Sequence, residues 1–435
     1  MNRAESLSKK IVVTTFVKNL LGGGAERVAV NLLQGLPQDV FDQELVTVSA
    51  WGPFLEHVPE HVVLTDLARG GGVKNQGNVS ASIWPLVRYL RRRKPDILIS
   101  HLAHANIAAT IAVALAQTKT KVVLVEHNDN SLLDRTRNRS RAGQLMQHFK
   151  SQIYRRADHL VGVSEGVASY IATTFGVPRE RISAIYNPVI SDELLAKAEE
   201  PLEHPWFQSD EPPVLLATGR LREQKDFVTL LRAFALVREQ RPCRLLILGE
   251  GQERSALEAE VAALGLKADV SLPGFTANPY AYMKNASLFV LSSRWEGLPT
   301  VLVEAIACGC PVVATDCPSG PDEILEGGKW GQLVPMADPA ALAGAITEAL
   351  DQEHSAEKPQ ERASAFTFER SMQNYTALLE RLARSRKGST TVRPRSDAGM
   401  PNRMKLSERV HTDTRRSHPP TAQTKAKFSF RKRST

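Results

Sequence analysis

Ser292–Leu325 reads SSRWEGLPTVLVEAIACGCPVVATDCPSGPDEIL, and its punctuation decides the fold. The apolar run SLFVLSS is a strand that ends at Ser292-Ser293. A short loop then carries Glu296 and Gly297. Pro299 suits the first position of a helix, where its missing N–H is no loss. The helix TVLVEAIAC follows and stops at Gly309, a residue suited to the left-handed turn after a helix. A second apolar strand, PVVATD, comes next. Strand, Pro-started helix and parallel return strand make one unit of an α/β sheet. The unpaired N–H groups of the first helical turn, Leu298 to Val301, then lie at the mouth of a crevice. Such an N-terminus attracts phosphate. Glu304, one turn further on, can accept hydrogen bonds from sugar hydroxyls without colliding with that phosphate.

The same rhythm extends in both directions. PVLLATGR, RLLILGEG and SLFVLSS are successive strands of a second half, and FVTLLRAFALVRE, AALAGAITEALDQE and RSMQNYTALLERLARS are its helices. The first half has its own strands at Ile11–Phe16, Asp96–Ser100, Lys121–His127 and His159–Ser164. Near-continuous apolar strands alternating with amphipathic helices imply parallel sheets covered on both faces. Residues 196–212 are rich in Pro and acidic side chains, carry no periodic pattern, and read as a linker. The expected layout is a doubly wound domain over 10–195, the linker, and a second doubly wound domain over 213–368. A helix over 369–386 is expected to pack back on the first domain. A basic tail over 387–435 completes the chain.

The chain has 435 residues and a net charge of +8. From Arg384 to Thr435 there are 15 Lys or Arg against 3 Asp or Glu, so this stretch alone carries +12 and the rest −4. The folded body is therefore mildly acidic, which argues against nucleic acid as a partner. The tail is poor in apolar residues and cannot offset its chain entropy, so it is expected to be disordered. It has two readings, a dispensable extension or a contact with anionic lipid. No apolar run reaches 18 residues, and MNRAESLSKK lacks a signal-peptide core. Four cysteines, Cys243, Cys308, Cys310 and Cys317, match neither a disulfide scaffold nor a zinc spacing. A reducing, cytoplasmic setting is expected, with a possible peripheral position on the inner face of the plasma membrane.

Glu296 and Glu304, seven residues apart, inside EGLPTVLVEAIACGCPVVATD, resemble the E-x7-E element of family 4 glycosyltransferases, retaining enzymes of the GT-B fold. That resemblance implies two Rossmann-like domains facing each other across a cleft. It implies that Glu304 binds the nucleotide ribose and that Glu296 lies at the donor sugar as a catalytic residue. Gly297, Leu298, Pro299 and Thr300 would hold the donor. TGRLREQKDF resembles the family's G-R-x(4)-K element, which assigns Arg220 and Lys225 to the donor diphosphate. A diphosphate leaves readily only if positioned cations match its growing charge. LLGGGAER, beginning at Leu20, resembles the family's glycine turn, so Gly23 and Gly24 join the donor set, with Glu26 and Arg27 matching the rest of that element. His127, at the end of VVLVEH, is similarly placed near the transferring sugar and is the second catalytic candidate. His101, His104 and Asn187 are acceptor-side candidates.

The resemblance spans roughly residues 10–385, tightly in the second domain and only in short elements in the first. The implied reaction transfers a hexose or N-acetylhexosamine from a nucleotide sugar, UDP-linked, to a saccharide or lipid-linked saccharide. DCPSGPDEIL also resembles bacterial N-acetylgalactosamine transferases that build lipid-linked saccharides. No cofactor is expected, and no metal, since D-x-D is absent and Arg220, Lys225 and a helix tip can do the charge work. A nucleotide-sugar epimerase, a phosphorylase or a non-catalytic adaptor remain alternatives. The basic segment 130–156, with apolar Leu145, Met146, Phe149 and Ile153, reads first as an ordinary helix whose stripe packs on the sheet. Its second reading is a surface for anionic lipid or a diphosphate-linked lipid acceptor.

Overall fold

The structure is a computed structural model, and it describes residues 9–21, 23–68, 79–137, 140–352 and 361–385. The basic tail lies outside these residues, as does Gly22.

Two parallel sheets carry the chain. The first contains β1 (Ile11–Val17), β2 (Phe41–Thr47), β3 (Val63–Asp66), β4 (Ile97–His101), β5 (Lys121–Glu126), β6 (His159–Gly162) and β7 (Ile182–Ala184). Their order is β3-β2-β1-β4-β5-β6-β7. The second contains β8 (Val214–Thr218), β9 (Arg244–Leu248), β10 (Val270–Gly274), β11 (Leu288–Leu291), β12 (Val312–Thr315) and β13 (Gln332–Val334), in the order β10-β9-β8-β11-β12-β13. Every pairing is parallel. Helices cover both faces, so the central strands are largely buried and mostly apolar, with polar exceptions such as Thr14, Thr15, Ser100 and His101. These are two Rossmann-like domains in a GT-B arrangement. Strand order reverses between β1 and β4 in one sheet and between β8 and β11 in the other. Loops leaving the carboxyl ends of such strands frame a ligand crevice.

Several elements differ from the sequence pattern. β2 reads FDQELVT, too polar for a buried strand by composition. Its Glu44 is nevertheless buried, with Tyr89 and Arg93 donating to it and Thr14 Oγ1 at 3.2 Å. Pro299 is not the first helical residue. The helix runs Thr300–Ala307, and Pro299 precedes it as the cap, its carbonyl accepting from Leu302 N at 3.0 Å. The far end is as expected. Gly309 has φ +79, its N–H reaches Ile306 O, and Cys310 N reaches Ala305 O, both at 3.0 Å. That pair of bonds is a Schellman stop.

The 196–212 crossing is more ordered than its composition suggests. It begins inside the helix Asp192–Ala198 and contains a 3-10 turn, Pro205–Phe207, whose Trp206 and Phe207 pack on the core. Asn278 Nδ2 ties it to the second domain by donating to Lys197 O at 2.8 Å. The last helix, Phe368–Arg384, lies against the first domain. Its cap Thr367 bridges Ile190, Ser371 Oγ donates to Tyr186 O, and Met372 presses on Gly35. All four cysteines are free and buried.

Candidate active site

Four of the loops that meet in the cleft leave the strands at the two reversal points. After β1 comes the glycine turn, where a helix begins at Gly24 (Gly24–Gly35). After β4 comes Leu102, after β8 the Gly219–Lys225 loop, and after β11 the Glu296–Pro299 loop. Leu102 holds φ +75, a strained value for a bulky residue, and turns into the cavity immediately beside buried His101. β5 adds His127. Together these loops enclose a cavity of about 850 Å³, enough for a nucleotide sugar.

Arg220, Lys225, the helix tip Leu298–Val301, Glu296, Glu304, Gly23, Gly24, His127 and Asn187 all line this one cavity. The two domains face each other closely here. A Cβ placed on Gly23 would lie 3.2 Å from Arg220 Nη2 across the cleft. One on Gly297 would lie 2.0 Å from the carbonyl oxygen of His127. At Gly297, where the neighbour is backbone, only glycine lets the two segments approach so nearly. Hydrogen bonds seal the contact: Asp129 N to Glu296 O at 2.9 Å, Ser164 Oγ to Gly297 O at 2.8 Å, and Ser319 Oγ to Asp129 Oδ2 at 3.0 Å. Glu323 accepts from the first amides of the helix Glu165–Phe175, Glu165 N at 2.8 Å and Gly166 N at 3.2 Å. A carboxylate at a helix N-terminus is favoured by the dipole.

Glu296 is buried and fully engaged on one oxygen. Its Oε1 accepts from Lys225 Nζ and from Ser293 Oγ, each at 2.7 Å. Gln224 Nε2 stands 3.4 Å from Oε2, which leaves that oxygen only weakly held. Glu296 therefore fixes the ammonium of Lys225 in the cavity and keeps one lone-pair side for a ligand. Among the described residues Glu304 has no such anchor. Loss of solvation pushes its carboxyl up to about 7, although Arg27 and Lys225 pull the other way. It is a carboxylate in want of hydrogen-bond donors. Arg27 itself stacks over Phe54 at 4.7 Å.

His127 lines the cavity, and desolvation holds its imidazole down at about 3, so it is neutral at physiological pH. Its Nε2 is 3.1 Å from His101 Nδ1. Asn187 belongs to the lining, and its Oδ1 is buried and unpartnered among the described residues. Two acceptor-side candidates do not reach the cavity. His101 is wholly buried behind His127, because β4 ends there with its side chain turned into the core. His104 is exposed on the first turn of the helix Ala103–Ala116 and points elsewhere. Conversely, Gln224, Glu250, Phe275 and Thr276 line the cavity without having been singled out. Gln224 lies inside REQK, between two residues that were. Phe275 follows β10, a strand too irregular to recognise, since its register shifts between Ser271 and Gly274.

The stripe on the helix Arg141–Arg156 is also not as first read. Leu145, Met146 and Phe149 are exposed at 72%, 56% and 46%, and only Ile153 and Tyr154 are buried. Among the described residues no helix is long and apolar enough to cross a membrane, and no three His, Cys, Asp or Glu cluster as a metal site.

Two Rossmann-like domains whose reversal-point loops share a charged cavity of nucleotide size define a protein of the GT-B class. The chain belongs to the family 4, group 1 glycosyltransferases: the model for Glycosyltransferase Family 4 matches residues 22–193, and the model for Glycosyl transferases group 1 matches residues 200–366. An uncharacterized glycosyltransferase of Methanocaldococcus jannaschii is 29% identical over 58% of this chain and 65% of its own length. The N-acetylgalactosamine-N,N'-diacetylbacillosaminyl-diphospho-undecaprenol 4-alpha-N-acetylgalactosaminyltransferase of Campylobacter jejuni is 29% identical over 57% of this chain and 64% of its own length. The chain thus spans a little under two thirds of each. Among solved structures, HepE of Anabaena in complex with UDP superposes with a TM-score of 0.67 at 22% identity, over 86% of this chain and 100% of that one. That likeness concerns the fold.

Proposed function

We propose that this protein transfers a hexose or N-acetylhexosamine from a UDP-sugar to a saccharide or lipid-linked saccharide, with retention at the anomeric carbon. The observation that carries this reading is the convergence of Arg220, Lys225, the Leu298–Val301 helix tip and Glu304 on one cavity. Arg220, Lys225 and the helix amides match a diphosphate, and their charge stabilises it most as the glycosidic bond breaks. Glu304 accepts from the ribose hydroxyls. Glu296 and neutral His127 lie at the sugar, where they orient hydroxyls through hydrogen bonds. The contacts between Gly297 and His127 exclude water, which limits donor hydrolysis. Asn187 offers its free oxygen on the acceptor side. The UDP of the HepE complex and the undecaprenyl-linked acceptor in the Campylobacter relative's name favour the donor and acceptor classes.

The charge work needs no divalent metal in this reading, because two cations and a helix N-terminus supply it. Exposed Leu145, Met146 and Phe149, on a helix that also carries Arg141, Lys150, Arg155 and Arg156 and no acidic residue, fit the surface of an anionic membrane. A protein on the inner face of the plasma membrane would meet a lipid-linked acceptor there.

An epimerase needs no second substrate, so acceptor dependence of turnover tells the two activities apart. A thermal-shift panel of UDP-, GDP- and ADP-sugars on wild type and Arg220→Ala tests the proposal. UDP-sugars should stabilise wild type and the variant should lose that response. Stabilisation by no nucleotide at all would end it. UDP release that depends on an added saccharide acceptor separates transfer from epimerisation.

A further inference from the structure

His101, like His104, has no task in the transfer reading, yet its surroundings are specific. It closes β4, wholly buried, and its ring tilts 33° to that of His127 with centroids 5.3 Å apart. Its Nδ1 stands 3.1 Å from His127 Nε2. Its other nitrogen, Nε2, is buried without a partner among the described residues. The backbone on either side is pinned. Leu102 takes its strained φ of +75 while its carbonyl caps the next helix by accepting from Asn106 N at 2.9 Å.

The unpartnered atom decides where the protons are. Both rings are driven to the neutral form by burial, so each carries one N–H. Suppose His127 donated from Nε2 to His101 Nδ1. His101 would then hold its own proton on Nε2, a buried donor with nothing to receive it. Buried donors without acceptors are rarer and costlier than under-used acceptors. The other assignment avoids this. His101 donates from Nδ1, its Nε2 is a bare acceptor, and His127 accepts on Nε2.

We infer that His101 is a positioning residue that fixes His127 as the Nδ1–H tautomer, so that the cavity meets a neutral imidazole with one defined donor. The carbonyl of His127 is already held by its approach to Gly297, so ring and backbone are set independently. A neutral, pre-aimed donor can bind a hydroxyl of the transferring sugar and cannot titrate away in the working pH range. The inference uses the proposed transfer only for its rate readout; the tautomer is a property of the resting protein.

Nitrogen NMR of histidine-labelled protein reads the tautomer directly, with the His127 signals assigned from His127→Asn. In wild type, His127 should show a protonated Nδ1 and a bare Nε2. In His101→Phe that preference should be lost, and kcat should fall about tenfold, the worth of one positioned hydrogen bond, with the KM for donor little changed. His101→Asn sets an amide donor where Nδ1 stood and should restore both. A wild-type His127 protonated on Nε2 overturns the inference whether or not the protein transfers sugar. So does a His101→Phe protein that folds and turns over at the wild-type rate. If His101→Phe does not fold, the wild-type spectrum and the Asn variant still decide. Absence of any transferase turnover alongside the expected Nδ1–H signal would instead count against the transfer reading alone.

Discussion

Glu304→Gln should make the unliganded protein more stable and a poorer binder of nucleotide, and the two effects should share a pH dependence. The native carboxyl sits at about 7 against 4.5 for a free side chain. Between those values the folded protein keeps a proton that the unfolded chain releases. Stability therefore falls as pH rises through this window, and the full penalty is present above pH 7. The shift corresponds to about 3 kcal/mol, and the open side of the cavity discounts it to about 2 kcal/mol. A neutral amide of the same shape avoids that penalty. The melting temperature at pH 8 should rise by about 3 °C if both domains unfold together, or about 6 °C if the second unfolds alone. The difference from wild type should shrink to less than half at pH 5. A ribose supplies the donors that the carboxylate lacks, so the charged form binds best and wild-type affinity for UDP should rise as pH passes about 7. Replacing it should weaken UDP by about 10- to 100-fold, the worth of hydrogen bonds to a charged group. Calorimetric melting from pH 5 to 8, and titration calorimetry with UDP at the same pH values, measure both; subtracting the variant removes the titration of the phosphate itself. A variant no more stable at pH 8 that binds UDP as wild type does would show that Glu304 is neither strained nor at the ribose.

Gly297→Ala places a methyl 2.0 Å from the backbone oxygen of His127, and backbone cannot step aside cheaply. The domains should be held apart by about 1 Å, lowering kcat about 100-fold while UDP still raises the melting temperature; unaltered kcat would mean that the two chains do not meet during turnover. Lys225→Met removes the partner of buried Glu296, so it should destabilise the protein by about 3 kcal/mol as well as abolish UDP binding, and Lys225→Met/Glu296→Gln should recover most of the stability and none of the binding, as a double-mutant melting cycle would show. Replacing Leu145, Met146 and Phe149 together by Ser should leave the melting temperature unchanged, because all three are exposed, and should reduce flotation with anionic vesicles; equal flotation would remove that helix from any membrane contact. Chelation with EDTA should leave turnover intact, and a strict need for added Mg²⁺ would contradict charge matching by Arg220, Lys225 and the helix tip.

The second domain was more legible than the first, and its chemistry explains why. There the binding groups are fixed by local signals: a strand end, a loop of defined length, a helix tip. Arg220, Lys225, Glu296 and Glu304 each lie within a few residues of such a signal, so local spacing places them at strand ends and the family resemblance marks them as one set. In the first domain the decisive fact is which way a ring turns at the end of a strand. His101 is the last residue of β4, in register with Val125, and His127 is the first residue past β5; one is walled into the core and the other faces the cavity. No local pattern distinguishes them. The stripe Leu145–Phe149 failed for the same reason, since helical spacing shows that a face is apolar and not what covers it. β2 was hidden because Glu44 is buried by partners 30 to 49 residues away in the chain.

The peptide between Glu296 and Leu298 ties these two levels of legibility together. Its side-chain end holds the Lys225 ammonium in the cavity, through Glu296. Its backbone end receives Asp129 N and Ser164 Oγ from the first domain, and its glycine packs closely against the His127 carbonyl. A displacement of the first domain therefore moves the one loop that also sets the ammonium. The contact between the domains and the position of the Lys225 ammonium thus depend on the same three residues. This accounts for a glycine beside the glutamate: a side chain at 297 would separate the cation from the histidine that faces it. In the proposed transfer, the groups of the second domain alone should therefore suffice for nucleotide binding, whereas turnover should also need His127 against Gly297.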